Sequence, residues 1–260
     1  MAVDNQSAVE QGAGCTREPA KGLIAWMGKS PVFSLPRRLV WKGISAILAQ
    51  KGMTITPAIR EPGKVAAYEL IDRVIAEEDM LLLREEAYQL LSAVRHTGKI
   101  DGDIAEVGVY RGASARLICE FKGDRALHLF DTFEGLPETT GLDDRFQSGQ
   151  YQSSYSKVKK YLAPYPGVAL YQGYFPATSG PVEDRTFSFV HVDVDLHEPI
   201  KNCLEFFYPR MRAGGIILIH DYAWAQGVRL AVDEFLADKP EPLMELAGAY
   251  CGIVKCNTSS

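Results

Sequence analysis

Two periods of apolar residues divide the chain. From Tyr68 to His96 the sequence is rich in Leu, Glu and Ala and predicts helix, with Asp79-Met80-Leu81-Leu82 opening a second helix that runs to Val94. From Asp103 onward, short apolar runs alternate with helical segments. Strands are expected at 104–109, 126–131, 168–174, 187–195 and 215–221, and helices at 113–121, 151–162, 198–208 and 226–238. Such β-α repetition predicts a parallel sheet with helices on both faces. Two more strand-like runs, Pro242 to Ala247 and Tyr250 to Lys255, flank Gly248, and so short a link joins antiparallel neighbours. The expected fold class is α/β: a mostly parallel sheet with a reversed C-terminal hairpin strand, behind an N-terminal helical preface.

Ahead of Tyr68 the pattern is weaker. Residues 1–20 are expected to be a disordered tail, followed by a short helix over Leu39 to Ala49 and turns at Gly52 and Pro57. The 260 residues can bury a full core, and no internal repeat is visible. A net charge of −5 without a Lys/Arg run argues against a nucleic-acid partner. No apolar stretch is long enough for a bilayer, and no basic segment leads into an apolar leader, so the expected location is cytoplasmic. Five scattered cysteines without a C-x-x-C pair argue against a disulfide framework or a thiolate zinc site.

Candidate chemistry begins where the first strand breaks at glycine. In Ile104-Ala-Glu-Val-Gly-Val-Tyr-Arg-Gly-Ala-Ser-Ala115, an apolar run reaches Glu106, turns at Gly108 and Gly112, and enters a helix. Glycine lets a ligand approach the backbone, and the helix start offers unpaired N–H donors. The spacing is not G-x-G-x-x-G, which counts against a dinucleotide dehydrogenase. Asp131 ends the second strand, roughly 20 residues beyond the turn, where nucleoside-binding α/β folds hold ribose hydroxyls. The competing role for Asp131 is an Asx-turn that caps the next loop.

A second cluster follows. In Phe189-Val-His-Val-Asp-Val-Asp-Leu196, alternation puts His191, Asp193 and Asp195 on one face of the strand. The next strand ends in His220-Asp221, and adjacent parallel strands would bring Asp193, Asp195, His220 and Asp221 together. Three carboxylates and an imidazole repel and desolvate one another unless a divalent cation compensates. Alternatively, Asp195 caps the next helix and Asp221 a loop. His128 and His191 read as hydrogen-bonded core histidines and His96 as a helix C-terminal charge. His197, with Tyr151, Tyr155 and Trp224, could line a substrate mouth. The loop Glu138 to Gln150, with Gly141, Asp143, Asp144 and Gly149, reads as a mobile lid.

These segments, with Phe130-Asp-Thr-Phe-Glu-Gly-Leu-Pro137, Gly214-Gly215 and Ala231-Val-Asp-Glu-Phe235, resemble the macrocin O-methyltransferase (TylF/MycF) type over about residues 70 to 256. The reversed last strand likewise fits the outline of the Rossmann-like class I methyltransferase fold. The resemblance implies an S-adenosylmethionine-dependent O-methyltransferase acting on a hydroxyl, often of a natural-product sugar. It implies residues 21–99 as preface or cap and 100–260 as the cofactor-binding catalytic domain. Glu106 and Gly108 would lie against the methionine part of the cofactor, with Tyr110, Gly112 and Ser114 in and beside the closing turn. Asp131 would hold the ribose, Thr132 and Phe133 the nucleoside flanks, and Gly173, Tyr174 and Phe175 the adenine. Asp193 matches a cofactor-side and metal-binding carboxylate, and Asp195 the general base.

One position departs from the family pattern. Where Asp-Asp is common before the tyrosine, this chain has His220-Asp221. Imidazole shifts preference from Mg²⁺ toward Mn²⁺ or a later metal, and His220 could itself act as a base. The expected metal set is Asp193, His220 and Asp221, the expected partner a small-molecule hydroxyl acceptor, and the family's habit a homodimer. The rivals are a catechol-type O-methyltransferase, an NAD-dependent oxidoreductase and a non-catalytic binding subunit of the same fold.

Overall fold

A computed structural model describes residues 62–257 together with Gly43 and Ile44. The expected tail and the turns at Gly52 and Pro57 lie outside the described residues. Of the helix expected over 39–49, only Gly43 and Ile44 are described, and both are helical. The chain divides into two compact units, Met1–Ile59 and Arg60–Ser260, and the sheet and its helices belong to the second.

Two helices come first, α1 (Pro62–Glu77) and α2 (Arg84–His96). The second starts five residues later than expected, because Glu86 closes a capping box on the backbone N–H of Leu83. Asp79 to Leu82 is therefore a connection and not a helical turn. His96 ends α2 behind Arg95, with its Nδ1 2.7 Å from the Ser92 carbonyl oxygen.

The sheet then builds from β1 (Asp103–Val107), β2 (Leu127–Asp131), β3 (Val168–Gln172), β4 (Phe187–Val192) and β5 (Met211–Ile219). Between them run α3 (Ala113–Phe121), α4 (Tyr155–Leu162) and α5 (His197–Phe207). After β5 come α6 (Gln226–Leu236), β6 (Leu243–Glu245) and β7 (Cys251–Val254). The strand order is β3-β2-β1-β4-β5-β7-β6. The first five strands are parallel, and β7 runs antiparallel to both β5 and β6.

Side-chain alternation sorts the core into two layers. Ile104, Leu127, Leu129, Phe189 and Leu218 pack with Ile71, Leu90, Leu91, Leu117 and Ile118 of α1, α2 and α3. The described part of the preface thus shares the core of the sheet. On the other face, Val107, Phe130, Val190, Val192 and Ile217 pack with Ile200, Leu204, Phe207, Val228 and Val232 of α5 and α6. A register shift between Phe187 and Phe189 sends these two rings to opposite layers. No described helix is long and apolar enough to cross a membrane.

Candidate active site

All the chemistry-bearing segments leave the sheet at the carboxyl ends of its parallel strands, where open α/β sheets bind ligands. After β1 the chain turns at Gly108, whose φ is +87°. A side chain there would overlap the carbonyl group of Asp193. β1 and β4 are neighbours, so the glycine is what lets the two strand ends close together.

Asp131, at the end of β2, organises this turn. Its Oδ2 accepts the backbone N–H groups of Val109 (2.7 Å) and Tyr110 (2.8 Å), and its Oδ1 accepts that of Phe133 (2.6 Å). The last bond is the Asx-turn anticipated above, and the same carboxylate also faces the cavity. Burial raises its pKa, opposed by those three bonds. Carboxylate oxygens have about four acceptor sites, so one remains for a ligand hydroxyl.

The acidic cluster forms between β4 and β5, but not on a strand face. β4 stops at Val192, so Asp193, Val194 and Asp195 lie in the following loop, with Asp195 at φ +61°. Only His191 of the expected polar row belongs to the strand, and it is a core histidine. Its Nδ1 is 2.8 Å from Glu106 Oε1 and its Nε2 is 2.8 Å from Tyr250 Oη, all three residues being buried. His128 similarly bridges Tyr171 and Asp103.

Asp193, His220 and Asp221 each offer a ligand atom, all within 4.8 Å of one another. His220 Nδ1 is 2.9 Å from Asp221 Oδ1 and 3.2 Å from Asp193 Oδ1, while Nε2 is 3.4 Å from Glu86 Oε2. Burial alone would lower the His220 pKa, but the charge of Asp193 and contacts with Asp193, Asp221 and Glu86 raise it strongly. Asp193 is pushed up by burial and brought below its ordinary value by His220. Asp195 is raised well above its ordinary value, by burial first and then by its contact with Asp221 and the negative charge of Asp193 and Asp221. Asp195 does not cap α5: the N-cap is Leu196, and Asp143 Oδ1 accepts the His197 N–H instead.

The donor set fits a divalent cation. Asp221 Oδ1 is buried without a hydrogen-bond partner despite its closeness to Nδ1. Spacings of 2.9 and 3.2 Å suit neighbouring ligands of an octahedral ion with bonds of about 2.1 Å.

One cavity of about 280 Å³ joins the glycine turn to this cluster. Its wall includes Gly108, Tyr110, Ser114, Asp131, Thr132, Gly173 and Phe175, together with Asp193, Asp195, His220 and Asp221. An acid, exposed backbone and an aromatic face around such a volume suit a nucleoside-bearing cofactor. Glu106, Gly112 and Phe133 are not part of the wall. Glu106 is tied to His191 beneath the turn, Gly112 is the N-cap of α3, and Phe133 packs edge-on against Tyr155.

Among the expected mouth residues, Tyr151 and Trp224 line the cavity, whereas Tyr155 and His197 do not. The loop read as a mobile lid is pinned at its middle. Asp143 accepts from Thr140 and His197, and Phe146 is buried against Trp224. Tyr110, Phe133, Tyr151, Asp195 and Asp221 are non-glycine residues with positive φ, and all belong to the cavity wall or flank it. Each costs about 1–3 kcal/mol, which surrounding structure must offset.

Several wall residues carried no signal in the sequence. Asp79, Met80, Leu81 and Leu82 line the cavity, as do Leu136 and Cys203. Glu86 and Tyr250 reach His220 from α2 and from the closing hairpin. Only the Leu83–Glu86 spacing could have hinted at a role for Glu86, and then as a cap.

Comparison with known proteins identifies the family and the fold. The chain is 29% identical over 142 residues to the 8-demethyl-8-(2,3-dimethoxy-alpha-L-rhamnosyl)-tetracenomycin-C 4'-O-methyltransferase of Streptomyces olivaceus, covering 48% of this chain and 54% of that protein. It is 27% identical over 156 residues to the demethyldecarbamoylnovobiocin O-methyltransferase of Streptomyces niveus, covering 53% and 59% respectively. The matched region thus spans a little over half the length of these relatives. The solved structure of the O-methyltransferase NovP shares the fold, with a TM-score of 0.62 at 22% identity over 68% of this chain and 82% of that one. The family model for macrocin-O-methyltransferase (TylF) matches residues 83–248, from the capping box of α2 to the turn between β6 and β7, and the chain belongs to that family.

Proposed function

We propose that the protein is an S-adenosylmethionine-dependent O-methyltransferase that methylates a hydroxyl on a sugar or polyol group of a natural product, assisted by a divalent metal. One observation carries the reading: a single cavity is lined both by the Gly108 turn with Asp131 and by the acidic group Asp193, Asp195, His220 and Asp221, three of which could hold a metal. The relatives' names, which specify O-methylation of a rhamnosyl group and of a novobiocin precursor, support the acceptor class.

S-adenosylmethionine supplies a methyl group already activated on sulfur, so the protein must orient the acceptor oxygen and remove its proton. Asp193, His220 and Asp221 would hold a divalent cation, whose positive charge would acidify an acceptor hydroxyl. Asp131 binds the ribose, with Thr132 and Phe175 beside the nucleoside, and the Gly108 turn lies against the methionine part. Asp195 takes the hydroxyl proton on its carboxylate, as a general base. Its backbone is left-handed, and its carboxylate meets that of Asp221. Tyr151, Leu136 and Trp224 line the cavity and would exclude water and orient the acceptor, which supplies much of the rate.

Calorimetric titration of metal-stripped protein with S-adenosylmethionine, without and then with Mg²⁺, tests the reading. Saturable one-site binding is expected. No binding in either condition would sink the methyltransferase assignment.

A further inference from the structure

Glu86 belongs to α2, yet its carboxylate joins three parts of the molecule. Oε2 accepts the Leu83 N–H at 2.8 Å, and Oε1 accepts the Ala249 N–H of the closing hairpin at 2.8 Å. Oε2 also faces His220 Nε2 at 3.4 Å, a buried nitrogen that makes no hydrogen bond of good geometry to any other group. The residue is 3% exposed, and a Cβ at Gly248 would overlap its carboxylate, so the hairpin turn is closed down on it. Capping α2 requires none of this burial, since a capping-box Glu works at the surface.

We propose that Glu86 is a positioning residue for His220, holding the ring with Nε2–H toward Glu86 and Nδ1 toward Asp193 and Asp221. The proposal rests on reading Asp193, His220 and Asp221 as a metal site. A carboxylate only accepts, so the nitrogen facing it carries the proton and the other is left to ligate. Metal-bound histidines are commonly oriented this way, by a carboxylate on the second nitrogen. The Tyr250 ring, edge-on with centroids 4.9 Å apart, limits rotation of the imidazole. An aspartate at position 220 would need no such partner, because its two oxygens are equivalent.

The test is Mn²⁺ binding by the full chain, read by electron paramagnetic resonance, in a double-mutant cycle. In Glu86→Gln the amide keeps one acceptor oxygen for Ala249 and turns its NH2 toward Leu83 and His220, which disfavours a proton on Nε2. The Mn²⁺ Kd should rise about 10- to 100-fold. In a His220→Asp background the same substitution should change it less than about 3-fold, since no ring remains to be oriented. Equal losses in both backgrounds, or no loss in either, would overturn the proposal. Nitrogen-15 spectra of the Mg²⁺-loaded wild type give a second readout, independent of any variant's folding. A protonated Nε2 and unprotonated Nδ1 on His220 are expected, and the reverse overturns the proposal. A wild-type protein that binds no Mn²⁺ defeats the metal reading itself, and is distinguishable from one that binds Mn²⁺ without regard to Glu86.

Discussion

The carbonyl group of Asp193 occupies the space that a side chain on Gly108 would need. Cofactor turn and acidic cluster are thereby in backbone contact, and one methyl group should disturb both. Gly108→Ala adds that overlap to a φ of +87°, unfavourable for alanine. We expect destabilisation of more than about 1 kcal/mol, with loss of S-adenosylmethionine binding. Thermal unfolding and calorimetry check this, and a variant with unchanged melting and affinity would show that the two loops can part.

Asp195→Asn should lower turnover about 10²- to 10⁴-fold while leaving S-adenosylmethionine affinity unchanged. Single-turnover rates alongside calorimetry separate the two effects. Unchanged turnover would remove Asp195 as the base.

Chelation should abolish metal-stimulated activity, with Mn²⁺ restoring it at least as well as Mg²⁺ because one donor is imidazole. Asp193→Ala should remove the stimulation while keeping the backbone contact with Gly108. If this variant still responds to metal, Asp193 is not a ligand.

Acid stability should depend on a group far from this chemistry. Burial raises the pKa of Glu241, but bonds from Tyr208, Lys255 and the Cys256 N–H bring it from 4.5 down to about 2. Because the folded value lies below the unfolded one, the contribution is full above about 4.5 and lost as pH falls toward 2. Glu241→Gln should cost about 1–3 kcal/mol at neutral pH and progressively less below pH 4.5. Melting temperatures at pH 7 and pH 3 decide it, and an equal difference at both would refute the linkage.

The order of strands and helices was legible because local patterns specify it. Short apolar runs at the strands, the helical segments between them, and the short link at Gly248 are all readable over a few residues. So were Gly108, Asp131, Asp193, Asp195, His220 and Asp221, since turn glycines and acids at strand ends stand out against apolar neighbours.

Only the tertiary structure decided which of these share a cavity. It withdrew Glu106 beneath the turn, because a partner 85 residues away, His191, binds it within the sheet. It ended β4 at Val192, because closing the site needs Asp195 in a left-handed conformation that no strand allows. It brought Glu86 to His220 across more than half the chain, because α2 and the closing hairpin pack on the same edge of the site. Periodicity is a property of neighbours in sequence. Contacts that orient a side chain come from neighbours in space, and those exist only once the sheet has closed.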